Sequence, residues 1–124
     1  MLKDFKANKH FGNISEEFVC NYLKKNDFII LTQNYSQRFG EIDIIANKQN
    51  IIIFVEVKAR KNDYFNLSEV ITKSKQKKII LTAKYYLVSN KIQDKVCRFD
   101  VALLHSKDDS FKLQYFENAF NETT

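Results

Sequence analysis

The sequence is poor in the residues that cross-link small domains. Its two cysteines, Cys20 and Cys97, lie far apart in a chain of 124 residues and form no C-x-x-C pair. This favours two reduced, inert thiols over a disulfide. The two histidines, His10 and His105, are equally isolated, without a second ligand at zinc spacing. Neither a disulfide scaffold nor a zinc module is predicted.

Long apolar segments and glycines are also scarce. The longest uninterrupted apolar run, Ile51 to Val55, is far shorter than the roughly 20 residues that a membrane helix needs. Residues 1–6 contain no apolar segment ahead of a cleavage site, so we expect a cytoplasmic chain without membrane contact. Gly40, one of only two glycines, opens a predicted strand and marks a bend or a close approach of the backbone.

What is present is typical of a globular protein. Apolar residues make up 44% of the chain and charged residues 28%, and no repeat or low-complexity tract interrupts them. We expect a single domain over residues 1–124, with loosely ordered ends at 1–11 and 118–124. The formal net charge of +5 and the pI near 9.1 indicate an anionic partner such as nucleic acid.

Hydrophobic spacing predicts a helix, three strands, a long helix and two strands. The first helix is capped by Asn13 and runs to about Lys25, and the long helix of residues 69–88 is capped by Ser68. The predicted strands cover residues 28–32, 40–46, 51–60, 98–104 and 111–116, and residues 34–38 form a loop. A long helix between the third and fourth strands predicts a crossover, and hence a mixed α/β sheet with helices on both faces.

The second and third strands form a predicted hairpin that carries charge within apolar runs. With a turn centred on Lys48 and Gln49, Glu41 lies opposite Glu56, and Asp43 lies opposite Phe54 on the same face. Burying such carboxylates without partners costs several kcal/mol each. A bound divalent cation and a salt-bridge network are the two devices that would compensate, and the hairpin pattern leaves both open.

Asp43, followed by Glu56-Val57-Lys58 thirteen positions later, has the form D…E-x-K. Hydrolysis of a phosphodiester needs a cation, a polarised water and stabilisation of developing charge. Two acidic ligands and an ammonium group supply these parts, and Mg²⁺ or Mn²⁺ suits oxygen ligands. The pattern is short and recurs by chance, so its value depends on the hairpin that places all three side chains on one face.

The helices contribute two further candidates. Glu16 lies at the edge of the apolar face of the first helix, where a capping-box role and a role at the site are equally supported by spacing. Lys75 falls inside the apolar stripe of the long helix, so it either reaches the surface or points toward anionic groups at the sheet edge. The surrounding lysines are Lys73, Lys77, Lys78 and Lys84, and spacing favours a solvated face for them.

Three segments closely resemble the signature of the YraN family. They are Gly40-Glu41-Ile42-Asp43-Ile44-Ile45-Ala46, Phe54-Val55-Glu56-Val57-Lys58-Ala59-Arg60 and Arg98-Phe99-Asp100-Val101. These small bacterial proteins of poorly characterised function are assigned to the restriction-endonuclease-like PD-(D/E)xK superfamily, akin to archaeal Holliday-junction resolvases. The resemblance spans residues 12–120 and implies an α/β fold with a central mixed sheet of about five strands flanked by helices.

The resemblance also implies roles for individual residues. Asp43, Glu56 and Lys58 would be the catalytic core, and Glu16 would join Asp43 and Glu56 as a metal ligand. Lys75 would face phosphate, and we add Arg60 and Lys73 as predicted nucleic-acid contacts. Glu41 has no assigned role beyond hydrogen bonding near the site, and Asp100 is expected to pair with Arg98 or a neighbouring strand. A homodimer follows only by analogy with resolvases.

Three functions remain open at this stage. The first is a Mg²⁺-dependent or Mn²⁺-dependent nuclease acting on DNA, with branched or Holliday-junction DNA as one substrate class. The second is a nucleic-acid-binding module that keeps the nuclease fold without significant turnover. The third is an interaction protein in which the carboxylates and Lys58 form only a buried polar network. The intact acidic set favours the first over the third and hardly separates the first from the second.

Overall fold

The computed structural model describes residues 2–61, 66–108 and 110–122, with the backbone alone for residues 2–11. Within these residues the chain forms three helices and five strands. In chain order they are α1 (Leu2–Lys25), β1 (Ile29–Gln37), β2 (Gly40–Lys48), β3 (Ile51–Arg60), α2 (Leu67–Val70), α3 (Lys73–Ser89), β4 (Val96–Lys107) and β5 (Ser110–Phe120). Met1 and residues 123 and 124, part of the ends expected to be loosely ordered, lie outside the described residues.

The described strands form one five-stranded mixed sheet in the order β1-β2-β3-β4-β5. All neighbouring strands are antiparallel except β3 and β4, which are parallel. The helices α2 and α3 connect this parallel pair, because the chain must cross the sheet before it can start a parallel neighbour. The predicted α/β architecture, a central mixed sheet flanked by helices as in the restriction-endonuclease-like fold, is confirmed.

Apolar side chains build a core on each side of the central strands. On one side Leu23 of α1 packs in a cluster with Val55 of β3. On the other side Ile79 of α3 packs in a cluster with Phe54, the neighbouring residue of the same strand. All four side chains are buried, and each contributes about 1.5–3 kcal/mol. The hairpin is therefore held from both faces, which fixes the position of the charged residues at its open end.

None of the helices in the described part of the chain has the length and apolar character of a membrane span.

The helix α1 begins far upstream of its predicted start. It runs from Leu2, so Asn13 lies inside a helix and is exposed on its surface. A capping residue stands at the end of a helix, where backbone N–H groups lack partners. The predicted cap at Asn13 is therefore wrong, and a capping box no longer accounts for Glu16. The predicted end at Lys25 is confirmed.

The predicted long helix is divided into α2 and α3. Thr72 immediately precedes α3, and its Oγ1 accepts a hydrogen bond of 3.3 Å from the backbone N–H of Lys75. A threonine hydroxyl in this position satisfies one of the free donors at a helix start. Thr72 is thus the cap of the main helix, and the prediction that Ser68 caps a single helix of residues 69–88 is wrong.

The edge strand β1 is longer than predicted. It includes most of the segment 34–38 that we expected to form a loop, and it pairs with β2 as far as Gln37 opposite Gly40. Asn34, within the strand, has a positive φ of 54°, a conformation that asparagine tolerates better than most residues. The loop prediction was wrong because pairing with β2 supplies hydrogen bonds that the polar composition does not reveal.

The hairpin of β2 and β3 is confirmed, with a correction to its register. The predicted turn was centred on Lys48 and Gln49, whereas Lys48 pairs with Ile51, and Gln49 has a φ of 52° in the turn. Moving the centre by one residue moves the pairing by two, so side chains keep their predicted face and change their partners. The last pair on this side is Ile44 with Val55. If the register continues by one residue, Asp43 lies across from Glu56.

The motif in β4 serves the structure of the sheet. The Asp100 side chain is fully buried, and Arg98 donates to its two carboxylate oxygens at 2.9 and 3.0 Å. The Tyr115 hydroxyl and the Asn118 backbone N–H of β5 donate to the same carboxylate at 2.6 and 2.9 Å. The expected pairing of Asp100 is confirmed, and this network fixes β5 against β4.

Candidate active site

A cavity of about 390 Å³ lies between the hairpin and α3. Its lining combines the carboxylates of the hairpin with two lysines of the helix. These residues are Glu41, Asp43, Glu56, Lys75 and Lys78. The structure thus brings three of the acidic residues predicted to lie on one face to the same site, and adds cationic groups from an element distant in sequence.

The cavity depends on a close approach of β2 to α3 at Gly40. A Cβ atom at this position would lie 2.7 Å from Thr82 Oγ1 and 3.1 Å from the Lys78 carbonyl oxygen. Thr82 is fully buried and donates a hydrogen bond of 2.7 Å to that same carbonyl, so both atoms are held in place. Only a residue without a side chain fits here, which confirms the close approach predicted at Gly40.

Asp43 is a half-buried carboxylate of β2. Its Oδ2 accepts a hydrogen bond of 2.7 Å from the Val57 backbone N–H. Burial and then the negative charge of Glu56 raise the pKa of Asp43 to about 7, while the Val57 N–H and the Lys75 ammonium oppose the shift. Burial and a nearby like charge both disfavour the ionised carboxylate, and the opposing groups do not offset them. Asp43 is therefore a position where a further cation would be stabilised.

Glu56 and Lys75 form an ion pair across the cavity. The Lys75 Nζ lies 2.8 Å from Glu56 Oε1, and the two side chains are 40% and 12% exposed. Lys75 stands in the first turn of α3, so the packing of this helix on the sheet brings its ammonium to the hairpin. Of the two orientations left open by the sequence, the structure shows the one that faces anionic groups.

Glu16 approaches the acidic group from α1, on the opposite face of the sheet. It lines a second cavity, of about 370 Å³, together with Asn34. Burial raises the pKa of Glu16, a hydrogen bond with Asn34 lowers it, and the charges of Glu56 and Glu41 raise it. These charge interactions place Glu16 near the hairpin carboxylates. It stands beside the first cavity and does not line it.

Of the other hairpin and helix residues considered for the site, Glu41 lines the cavity and Lys58, Arg60 and Lys73 do not. Lys58 is exposed, two residues after Glu56, and Arg60 is half-buried at the end of the same strand. Lys73 is the exposed first residue of α3. Glu41 is exposed and accepts a hydrogen bond of 3.4 Å from the Ser36 hydroxyl. The structure therefore brings Asp43, Glu56 and Lys75 together, whereas Lys58, Arg60 and Lys73 do not line this cavity.

The chemistry of Asp43 and Glu56 fits a divalent cation. Carboxylate oxygens are the ligands that Mg²⁺ and Mn²⁺ favour, and Mg²⁺ commonly keeps several waters and takes only one or two carboxylates. Burial and the charge of Glu56 raise the pKa of Asp43, and a bound cation would oppose that shift. Among the described residues, no group of three or more His, Cys, Asp or Glu side chains stands ready to hold a metal. The geometry thus offers a pair of ligands, with Glu16 apart from it.

Asn34 and Thr72 lie near the site, and the sequence indicated a role there for neither of them. Asn34 forms a hydrogen bond with Glu16 and has a positive φ within its strand. Asparagine tolerates positive φ better than most residues, and this is the sequence signal for an irregular backbone at that position. Thr72 lines the main cavity and caps α3. A threonine before a helical run is a cap signal, which we assigned to Ser68 instead.

The family of the chain follows from sequence comparison. The model of the uncharacterised protein family UPF0102 matches residues 15–104. The chain belongs to the UPF0102 family. This confirms the resemblance to the YraN family, which is the same family. The matched segment contains Glu16, Asp43, Glu56 and Lys75.

Individual UPF0102 proteins match almost the whole chain. One from Clostridium botulinum is 42% identical over 118 residues, covering 93% of this chain and 97% of that protein. Another, from Clostridium acetobutylicum, is 41% identical with the same coverage. One from Dictyoglomus turgidum is 40% identical over 116 residues, covering 91% and 98%. These relatives are named by their family alone, so a function for this chain has to be argued from its site.

Proposed function

We propose that the chain is a metal-dependent nuclease that hydrolyses DNA phosphodiesters, with branched DNA as one substrate class to test. The observation that carries the proposal is the cavity in which Asp43 and Glu56 face Lys75. A network built for stability alone would give each buried carboxylate a positive partner, whereas the pKa of Asp43 is raised to about 7. An incompletely compensated carboxylate in a cleft is typical of a functional site.

Each acidic residue of the site and Lys58 has a separate proposed role. Asp43 and Glu56 would hold Mg²⁺ or Mn²⁺, and Glu16 adds negative charge beside them. When bound, the cation supplies the charge that neutralises a phosphate oxygen and polarises the attacking water. Lys58, exposed on the same strand as Glu56, is assigned to the phosphate and the water, where an ammonium stabilises developing charge.

The charge of the surrounding surface supports an anionic polymer as substrate. The chain has a formal net charge of +5, and Lys73 and Lys78 are exposed in the first two turns of α3, at or beside the cavity. Lysine side chains at this spacing bind backbone phosphates without reading the bases. Arg60, at the end of β3, is a further cationic residue that we assign to nucleic-acid contact.

The decisive experiment is a cleavage assay on a four-way junction, a flap and linear duplex DNA with Mg²⁺, Mn²⁺ or EDTA. We expect cleavage that needs the divalent cation and falls by about 100-fold or more in Asp43→Ala and Glu56→Ala. DNA binding should persist in both variants. The matched control is Glu117→Ala, which removes an exposed carboxylate of β5 far along the chain from the hairpin.

Two results would replace this proposal. Salt-sensitive binding without cleavage of linear, branched or RNA substrates would make the chain a nucleic-acid-binding module with the nuclease fold. No binding at all, together with a large loss of stability in Asp43→Ala, would make the carboxylates part of a structural polar network. Circular dichroism of each variant separates loss of activity from loss of folding.

A further inference from the structure

The Glu56–Lys75 ion pair engages one of the two carboxylates that the proposed metal needs. Lys75 Nζ lies 2.8 Å from Glu56 Oε1, within the cavity that Asp43 also lines. Glu56 is only 12% exposed, so its charge needs a nearby positive partner, because removing one member of such a pair leaves an uncompensated carboxylate. In this structure Lys75 provides that charge.

A divalent cation and the Lys75 ammonium cannot both occupy this place. Two positive charges a few ångströms apart repel strongly in a partly buried cavity, and both would be drawn to the carboxylate of Glu56. Lys75 has a long flexible side chain that is 40% exposed, so it can leave Glu56 without a change in the backbone of α3. Glu56 has no comparable freedom, since it stands on a central strand paired on both sides.

We propose that Lys75 is an internal counter-ion that a divalent cation displaces. Without metal the Lys75 ammonium stabilises Glu56, and metal binding breaks this pair and moves Lys75 toward solvent. Because the cation must displace it, Lys75 lowers the metal affinity of the free protein. It also compensates the charge of Glu56, which would otherwise destabilise the fold. This inference rests on the proposed function, because it takes Asp43 and Glu56 as the metal ligands.

The first test is calorimetric titration of Mn²⁺ and Mg²⁺ into the wild-type chain, Lys75→Met and Lys78→Met. Lys78 lines the same cavity, so its variant makes the same charge change without breaking the ion pair. We expect Lys75→Met to bind the cation about 10-fold more tightly than wild type, and Lys78→Met to differ by about threefold at most. Lys75→Arg, which keeps the positive charge, should stay near wild type.

The second test is thermal melting of the same proteins in EDTA and in saturating Mg²⁺. In EDTA, Lys75→Met should melt several degrees below wild type, because Glu56 loses its partner. Mg²⁺ should close this gap, since the cation takes the place of the ammonium. The difference between Lys78→Met and wild type should be equal with and without metal.

The outcomes separate this inference from the proposed function. Equal tightening in Lys75→Met and Lys78→Met, or a melting gap that Mg²⁺ leaves open, would overturn the counter-ion role and leave the nuclease proposal standing. Failure of wild type, Lys75→Met and Lys75→Arg to bind either cation would overturn both. Binding in Lys75→Met alone would support the counter-ion role even where the wild-type affinity is too weak to measure.

Discussion

At the scale of single residues, Asp43 and Asp100 show how differently one sheet can surround two of its carboxylates. Asp100 is fully buried, but two side chains and a backbone N–H donate to it. Asp43 receives one backbone hydrogen bond, which lowers its pKa, but burial and then the charge of Glu56 raise that pKa to about 7. In the sequence, both aspartates stand between apolar residues of a strand. Asp100 thus belongs to a network that stabilises the sheet, whereas Asp43 lies in a site whose negative charge is incompletely compensated.

This difference predicts the pH dependence of stability. Because the pKa of Asp43 rises from 3.8 to about 7 on folding, its ionisation destabilises the fold progressively between these values, and fully above the folded value. Asp43→Asn keeps an oxygen for the Val57 N–H and removes the charge. We expect the variant to be more stable than wild type by about 2 kcal/mol at pH 8 and nearly equal to it at pH 4.

Urea denaturation in EDTA at the two pH values measures the effect. Glu41→Gln is the control, since it removes an exposed carboxylate of the same cavity and should change stability little at either pH. A variant that is less stable than wild type at pH 8 would show that the Asp43 charge is already compensated in the native protein.

At the scale of elements, the contact between β2 and α3 determines whether the cavity forms. Gly40 stands where the strand meets the helix, and both atoms facing it belong to a hydrogen bond between Thr82 and Lys78. The sequence marked Gly40 by its rarity and its place at a strand start. It gave no indication that the partner would be α3, because that contact joins residues about forty positions apart.

Gly40→Ala tests this contact against a matched glycine. We expect Gly40→Ala to lower the free energy of unfolding by about 1–3 kcal/mol, because the new methyl group meets a backbone carbonyl and a fixed hydroxyl. Gly12→Ala is the control: Gly12 lies exposed in α1 with no atom within 4 Å of an added Cβ. This change should leave stability unchanged or raise it by up to about 1 kcal/mol. Equal effects in urea denaturation would disprove the close packing at Gly40.

At the scale of the whole molecule, the excess of positive charge should govern DNA binding. For about four phosphate contacts, affinity falls roughly 100-fold between about 50 and 200 mM salt. We expect Lys73→Gln to reduce the slope of log affinity against log salt by about one unit, as for loss of one contact. Lys112→Gln, with the same charge change on exposed β5, should leave the slope nearly unchanged. Fluorescence anisotropy with a labelled duplex measures both, and equal slopes in the two variants would exclude Lys73 from the interface.

The order of elements and the acidic hairpin could be predicted because they depend on local information. Apolar alternation identifies strands, and helical spacing identifies helices, so the parallel crossover and the pair Asp43 and Glu56 followed from the sequence. The predicted ends of the elements were less accurate. The start of α3 was missed because both Ser68 and Thr72 are possible capping residues, and the end of β1 was missed because its polar residues pair with β2.

The sequence alone determined the fold class, the family and the residues that we propose for the chemistry, because motifs and periodicity are properties of short segments. Only the tertiary structure decided how these residues meet. It set Lys75 against Glu56, left Lys58 exposed, and placed Glu16 beside the cavity with Asn34. The reason is physical: the distance between a helix and a hairpin is fixed by the packing of their apolar faces, and no local pattern contains that distance.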